Sequence, residues 1–207
     1  MTLDLWLAFV TASIALLMIP GPTVLLVLSY AVTQGRPVAL ATAAGVALGD
    51  FTAMTASLLG LGAIVLASAT LFTALKWIGA VYLVWLGLKL LRTNPTRGIG
   101  IETTATLPPR GVFGHAAAVT ALNPKSIAFF IAFVPQFLRP AEPLAPQFAI
   151  LIATFVSLAA VNALAYALLA DRMRARIRRP ATLRWLNRAG GGALIGMGLL
   201  TAALRRA

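Results

Sequence analysis

The chain has 207 residues, 60% hydrophobic and 11% charged, with a mean hydropathy of +0.91 and a formal net charge of +12. A soluble domain carries charge on about a quarter of its residues, so this composition excludes an ordinary water-soluble fold, and the absence of cysteine excludes a disulfide framework or a thiolate metal site. The positive charge falls in short segments between long apolar runs, which is the pattern of membrane topology and not of nucleic-acid binding.

An uncharged run extends from Leu5 to Gly35. It lacks a basic leader, follows Asp4 and exceeds the length of a signal-peptide core, so it is expected to be a first membrane span and not a cleaved leader. Inside it stands Met18-Ile19-Pro20-Gly21-Pro22-Thr23. Proline and glycine are the poorest residues for a helix interior, so the span is expected to break there. From Pro37 to Leu75 the sole charge is Asp50. About 20 apolar residues cross a bilayer core, and the apolar runs predict six spans, at 5–31, 38–67, 69–91, 112–138, 146–170 and 185–204. The fold class expected is an all-α integral membrane protein.

Asp50 is the only acidic residue in the core of any span. A charge at mid-bilayer costs about 2.5–3.5 kcal/mol on insertion scales, so Asp50 is expected to face a cavity or a partner. It either exchanges a proton there or pairs with Lys125 to hold helices together. Gly45 and Gly49, four residues apart, permit close helix approach. The segment 93–111 is rich in Thr, Pro and Gly and reads as a linker between two halves, 1–92 and 112–207.

The fourth span opens on Asn123-Pro124-Lys125-Ser126. Pro124 breaks the helix, and Asn123 can cap the helical segment that begins there. Lys125 has three readings: it binds a carboxylate, pairs with Asp50, or snorkels to an interface. Asn162 is the one strongly polar residue in the core of the fifth span, either bonding across helices or touching substrate. His115, the only histidine, is either an interfacial residue or a proton relay. The arginine run 172–179 is expected to set topology and meet anionic lipids.

Gly79, Leu83, Gly87 and Leu88 in the third span align with Gly190, Leu194, Gly198 and Leu199 in the sixth, and Pro22 in the first aligns with Pro124 in the fourth. A repeat of three spans must enter the membrane inverted, and inverted repeats with broken helices at matching places are a pattern of secondary transporters. Twelve Lys and Arg fall on the side holding Arg36, the 93–111 segment and the 172–188 run, against four on the other, Lys76, Arg139, Arg205 and Arg206. The positive-inside rule then places both termini outside the cytoplasm. There is no G-x-S-x-G elbow, His/Glu metal spacing or phosphate-binding loop. The sequence therefore points away from an enzyme, with no cofactor and no metal site expected, and leaves a gradient as the energy source for any transport.

The stretches "PGPT" (20–23), "GVALGD" (45–50), "WIGAVYLVWLGLKLLR" (77–92), "NPKSIAFFIAFVPQF" (123–137) and "WLNRAGGGALIGMGL" (185–199), in this order, resemble the lysine exporter (LysE/RhtB) family of bacterial amino-acid efflux proteins. The resemblance covers nearly the whole chain. It implies six spans in the bacterial inner membrane and export of amino acids or their derivatives by exchange with protons. Carried over by position, it marks Pro20, Gly21, Pro22, Asp50, Asn123, Pro124 and Lys125 as intramembrane site residues. Many relatives have an aspartate where this chain has Asn162, which would leave proton coupling to Asp50 alone. The partners implied are a small amino-acid substrate, protons and lipids, and a homo-oligomer is compatible with the architecture. The rivals are a metal or other cation carrier of the same build, disfavoured by the single intramembrane acid, and a non-transporting membrane scaffold.

Overall fold

The computed structural model describes residues 1–19, 21–92 and 106–170, together with isolated positions between 181 and 199. The sixth expected span, the 172–179 arginine run and residues 93–105 of the expected linker fall mainly or wholly outside the described residues, as does Pro20. Among the described residues the chain is helical throughout: α1 (Leu3–Met18), α2 (Pro22–Gln34), a 3-10 turn (Arg36–Val38), α3 (Ala39–Ala67), α4 (Ala69–Arg92), α5 (Pro109–Ala121), α6 (Pro124–Phe133), a second 3-10 turn (Val134–Phe137) and α7 (Leu144–Leu168).

Two of these helices, α3 over Ala39–Ala63 and α7, are long and apolar enough to cross a membrane alone. The expected first and fourth spans are each two arms meeting at an angle. α1 and α2 bend by 56°, and the pair formed by α5 and Lys125–Phe137 bends by 46°. Both breaks arise from local chemistry. Gly21 is the extended N-cap of α2 (φ −134°, ψ −174°), with Pro22 in its first turn. Asn123 caps α6, with Pro124 in its first turn. Proline is tolerated at that position, where its missing N–H would have had no partner.

α3 occupies the centre and packs chiefly on α5 and α7, touching α2, α4 and α6 as well. Its approach to α5 is made by the glycine pair. A Cβ added at Gly49 would lie 2.6 Å from the Ala117 carbonyl oxygen and 2.6 Å from Thr120 Cβ; at Gly45 it would strike the Phe113 carbonyl oxygen. Small residues at this crossing let two backbones touch, which is how helices associate where lipid is as apolar as the side chains. A second close crossing joins Gly87 of α4 to Gly191, whose carbonyl oxygen would lie 2.6 Å from an added Cβ.

Part of the core is aromatic. Phe129 and Phe133 of α6 lie 4.3 Å apart by ring centroid, with Phe9, Phe137, Phe130 and Phe155 completing the cluster. These six rings come from α1, α6, its 3-10 extension and α7, and they join one arm of each broken helix to α7.

Candidate functional site at two helix breaks

The two breaks meet. Pro20 and Pro22 have no N–H, so the carbonyls four residues back, Leu16 and Met18, lose the donors that a continuous helix would supply. Leu16 O accepts instead from the Ile19 N–H at 3.2 Å, and Lys125 of α6 adds a second donor: its Nζ donates to Leu16 O at 3.2 Å and to Ile19 O at 2.9 Å. Tyr166 OH of α7 donates to Met18 O at 3.5 Å, and Asn162 Nδ2, one turn earlier on the same helix, donates to Leu17 O at 3.3 Å. Four consecutive carbonyls at the end of α1 are thus met by three side chains from α6 and α7. The C-terminus of a helix carries about half a negative charge, so an ammonium belongs there on electrostatic grounds as well.

Gly21 makes room for this arrangement. A Cβ on it would sit 3.4 Å from Lys125 Cδ and 3.5 Å from Nζ. On the other side of the break, Thr23 in the first turn of α2 is held by α5 and the cap of α6: its Oγ1 accepts from Asn123 Nδ2 at 3.1 Å and from Thr120 Oγ1 at 3.4 Å. Asn123 Oδ1 accepts from the Lys125 backbone N–H at 3.0 Å, the N-cap bond of α6. Asn123 therefore ties one break to the other while starting the helix that carries Lys125.

Asp50 lies on α3 next to the Gly49 crossing and is 3% exposed. Lys125 is the cation whose charge bears on it. The two do not form a contact ion pair within 4.0 Å among the described residues, and Asp50 accepts no hydrogen bond there. Of the residues singled out in the sequence, Gly21, Pro22, Asn123, Pro124, Lys125 and Asn162 come together at the breaks, and Asp50 stands apart as a buried carboxyl group. Among the described residues no group of three or more His, Cys, Asp or Glu gathers.

His115 is elsewhere, with its Nδ1 hydrogen-bonded at 2.6 Å to Tyr30 OH at the junction of α2 and α5. Three contributors were missed in the sequence: Thr23, Thr120 and Tyr166. Tyr166 carried a signal, standing four residues after Asn162 and hence on the same helix face. Ser13 adds a buried hydroxyl without a hydrogen-bond partner among the described residues, one turn before the capped carbonyls.

The family model "LysE type translocator" matches residues 14–204. The chain is 35% identical over 208 residues to a homoserine/homoserine lactone efflux protein of Salmonella typhimurium, covering 100% of both chains. It is 31% identical over 205 residues to a membrane protein of Vibrio cholerae, covering 99% of this chain and 100% of that one. A leucine efflux protein of Klebsiella pneumoniae is 28% identical over 133 residues, 64% of this chain and 63% of the relative. No solved structure matches the chain. With a match over nearly its whole length and these relatives, the chain belongs to the LysE type translocator family of membrane transporters and is not an enzyme.

Proposed function

We propose that this protein exports small amino acids or their derivatives across the bacterial inner membrane in exchange for protons. The architecture proposed is six spans in two inverted halves, 1–92 and 112–207, joined by the 93–111 cytoplasmic linker, with both termini periplasmic. The observation that carries the reading is the joint itself: carbonyls at the end of one broken helix accept from an ammonium carried by the other, and α3 buries a carboxyl group that has no hydrogen-bond partner among the described residues. Broken helices of this kind, with carbonyl ends facing cations, build transporter sites near the membrane centre.

The relatives named for homoserine and homoserine lactone narrow the substrate. Those two molecules share an α-ammonium, whereas the lactone has no carboxylate. A site serving both must anchor on the ammonium, and carbonyls and a carboxylate are the groups that receive one. Asp50 is the proton carrier in this scheme: it holds a proton in the empty carrier and loses it when the substrate's positive charge enters. Gly21 and Pro22 form one wall, Asn123 and Lys125 the other, and Asn162 offers its Oδ1 to the ligand. Homoserine counterflow in proteoliposomes tests the reading. Wild-type protein is expected to exchange homoserine and acidify the appropriate compartment; Asp50→Asn is expected to lose proton coupling. Proton-coupled efflux that survives Asp50→Asn sinks the scheme.

A further inference from the structure

The export reading leaves Lys125 without a task, since a cation at the site repels the ammonium that the site must bind. The geometry resolves this. Nζ is engaged with two carbonyls, at 3.2 and 2.9 Å, at the negative end of a helix, among neighbours that donate to the intervening pair. A primary ammonium on a flexible four-carbon stem is chemically the same donor as the α-ammonium of an amino acid. Its alternative anion, Asp50, is 3% exposed and takes no hydrogen bond among the described residues.

We infer that the carbonyl end of α1 is an ammonium subsite that the chain keeps filled with its own Lys125, and that a substrate ammonium enters by taking over the Leu16 and Ile19 carbonyls while Lys125 turns to Asp50. This deepens the export reading and rests on it. The step balances without a further reactant. Asp50 gives up its proton to the side on which the site is open, and the Lys125 ammonium pairs with the carboxylate so formed. The substrate ammonium replaces Lys125 on the carbonyls with no change in its own protonation. One substrate bound is then one proton released. Unloading reverses it: Asp50 takes a proton, Lys125 returns to the carbonyls and the substrate leaves. Lys125 is here a competitor of the substrate and not its carboxylate clamp. The groups flanking the exchange are Lys125 on α6, Asp50 on α3 and Tyr166 on α7.

Purified protein in detergent supplies the test. In Lys125→Ala the subsite is vacant. Methylammonium is expected to raise the thermal stability of this variant and not of wild type. Homoserine and its lactone are both expected to bind the variant about tenfold or more tighter, because a tethered competitor leaves only a fraction of wild-type sites free. With a pH indicator in weak buffer, wild type is expected to release a proton on binding homoserine, and Lys125→Ala none. Lys125→Arg, which keeps a cation at the carbonyls with more donors, is expected to weaken homoserine binding and serves if the alanine variant does not fold. Loss of homoserine binding in folded Lys125→Ala, or unchanged or tighter binding in Lys125→Arg, overturns the inference and leaves export standing; binding by wild type without proton release overturns the inference and the proton exchange of the export reading together. A wild-type protein that binds neither homoserine nor its lactone overturns both.

Discussion

Replacing Gly49 by alanine should separate α3 from α5. The new Cβ would lie 2.6 Å from the Ala117 carbonyl oxygen, 2.6 Å from Thr120 Cβ and 2.9 Å from the Ala121 backbone nitrogen, where ordinary contact begins near 3.4 Å. Two of these are backbone atoms of α5, so no side chain can swing aside and the helices must part by about 0.8 Å at the crossing. Overpacking of this kind costs about 1–3 kcal/mol. The upper part of that range is expected here, because the displaced helix also carries Thr120, whose hydroxyl donates to Thr23 at 3.4 Å across the break. Gly60, on the same helix, has nothing within 4 Å of an added Cβ. Gly60→Ala should instead gain about 0.5–1 kcal/mol from reduced chain entropy in the unfolded state. The gap between the two variants, about 2–4 kcal/mol, corresponds to a factor of about 30 or more in the folding equilibrium. Thermal unfolding in detergent, followed by size-exclusion chromatography, reads it directly. If Gly49→Ala melts at or above Gly60→Ala, the glycine crossing is not what sets the α3–α5 distance.

Phe133→Ala removes a fully buried ring packed on Phe129 and Phe137, at centroid distances of 4.3 and 4.6 Å. It should cost about 3–5 kcal/mol in the same melt, whereas Ile131→Ala, at a side chain 38% exposed, should cost far less. Asn123→Ala should lose about 1–2 kcal/mol through the missing α6 cap. Asn123→Asp keeps the cap acceptor for the Lys125 N–H but not the donor to Thr23, so it should fall between alanine and wild type. Outside the membrane-spanning helices, the hydrogen bond from Arg139 holds the Glu142 carboxyl below its ordinary value of 4.5. A depressed carboxyl contributes stability above the unfolded value and loses it as pH falls through the folded one. The melting difference between wild type and Glu142→Gln should therefore favour wild type near neutral pH and vanish in acid. A difference that grows on acidification would contradict the Arg139 contact.

The helices were legible because apolar runs and prolines are local signals. The expected spans 38–67, 69–91 and 146–170 correspond to α3, α4 and α7, and the expected break positions are where α1 gives way to α2 and α5 to α6. The bend angles and the meeting of the two breaks were not legible, because they depend on packing between residues over a hundred positions apart. Lys125 illustrates the difference. A sequence displays side chains, and among side chains Asp50 was its obvious partner in the membrane. The partners in the structure are backbone carbonyls, which every residue carries and no composition reveals. Only the loss of donors at Pro20 and Pro22 singles out Leu16 and Met18, and only the fold says which side chain then reaches them. Asn162 likewise read as a lone polar group with two uses. Its Nδ2 is committed to Leu17 O, and its Oδ1 is left free among the described residues.

In lipid an unmet backbone carbonyl costs several kcal/mol, so any motion that opens the site must hand the end of α1 from one donor to another. Lys125, Asn162 and Tyr166 come from two different helices, and a rigid displacement of α6 alone uncovers the Ile19 carbonyl and leaves Leu16 with only its Ile19 N–H donor, while Leu17 and Met18 stay covered. Leu16 and Ile19 are the pair that a small ammonium can bridge, since Lys125 Nζ already spans both. Water could fill the same places, but without the positive charge that the helix end favours. A break capped in this divided way is stable when closed on its own lysine and receptive when opened to an ammonium from solution. A continuous helix has no such carbonyls to offer, and a break capped by one helix alone would have to release all four at once.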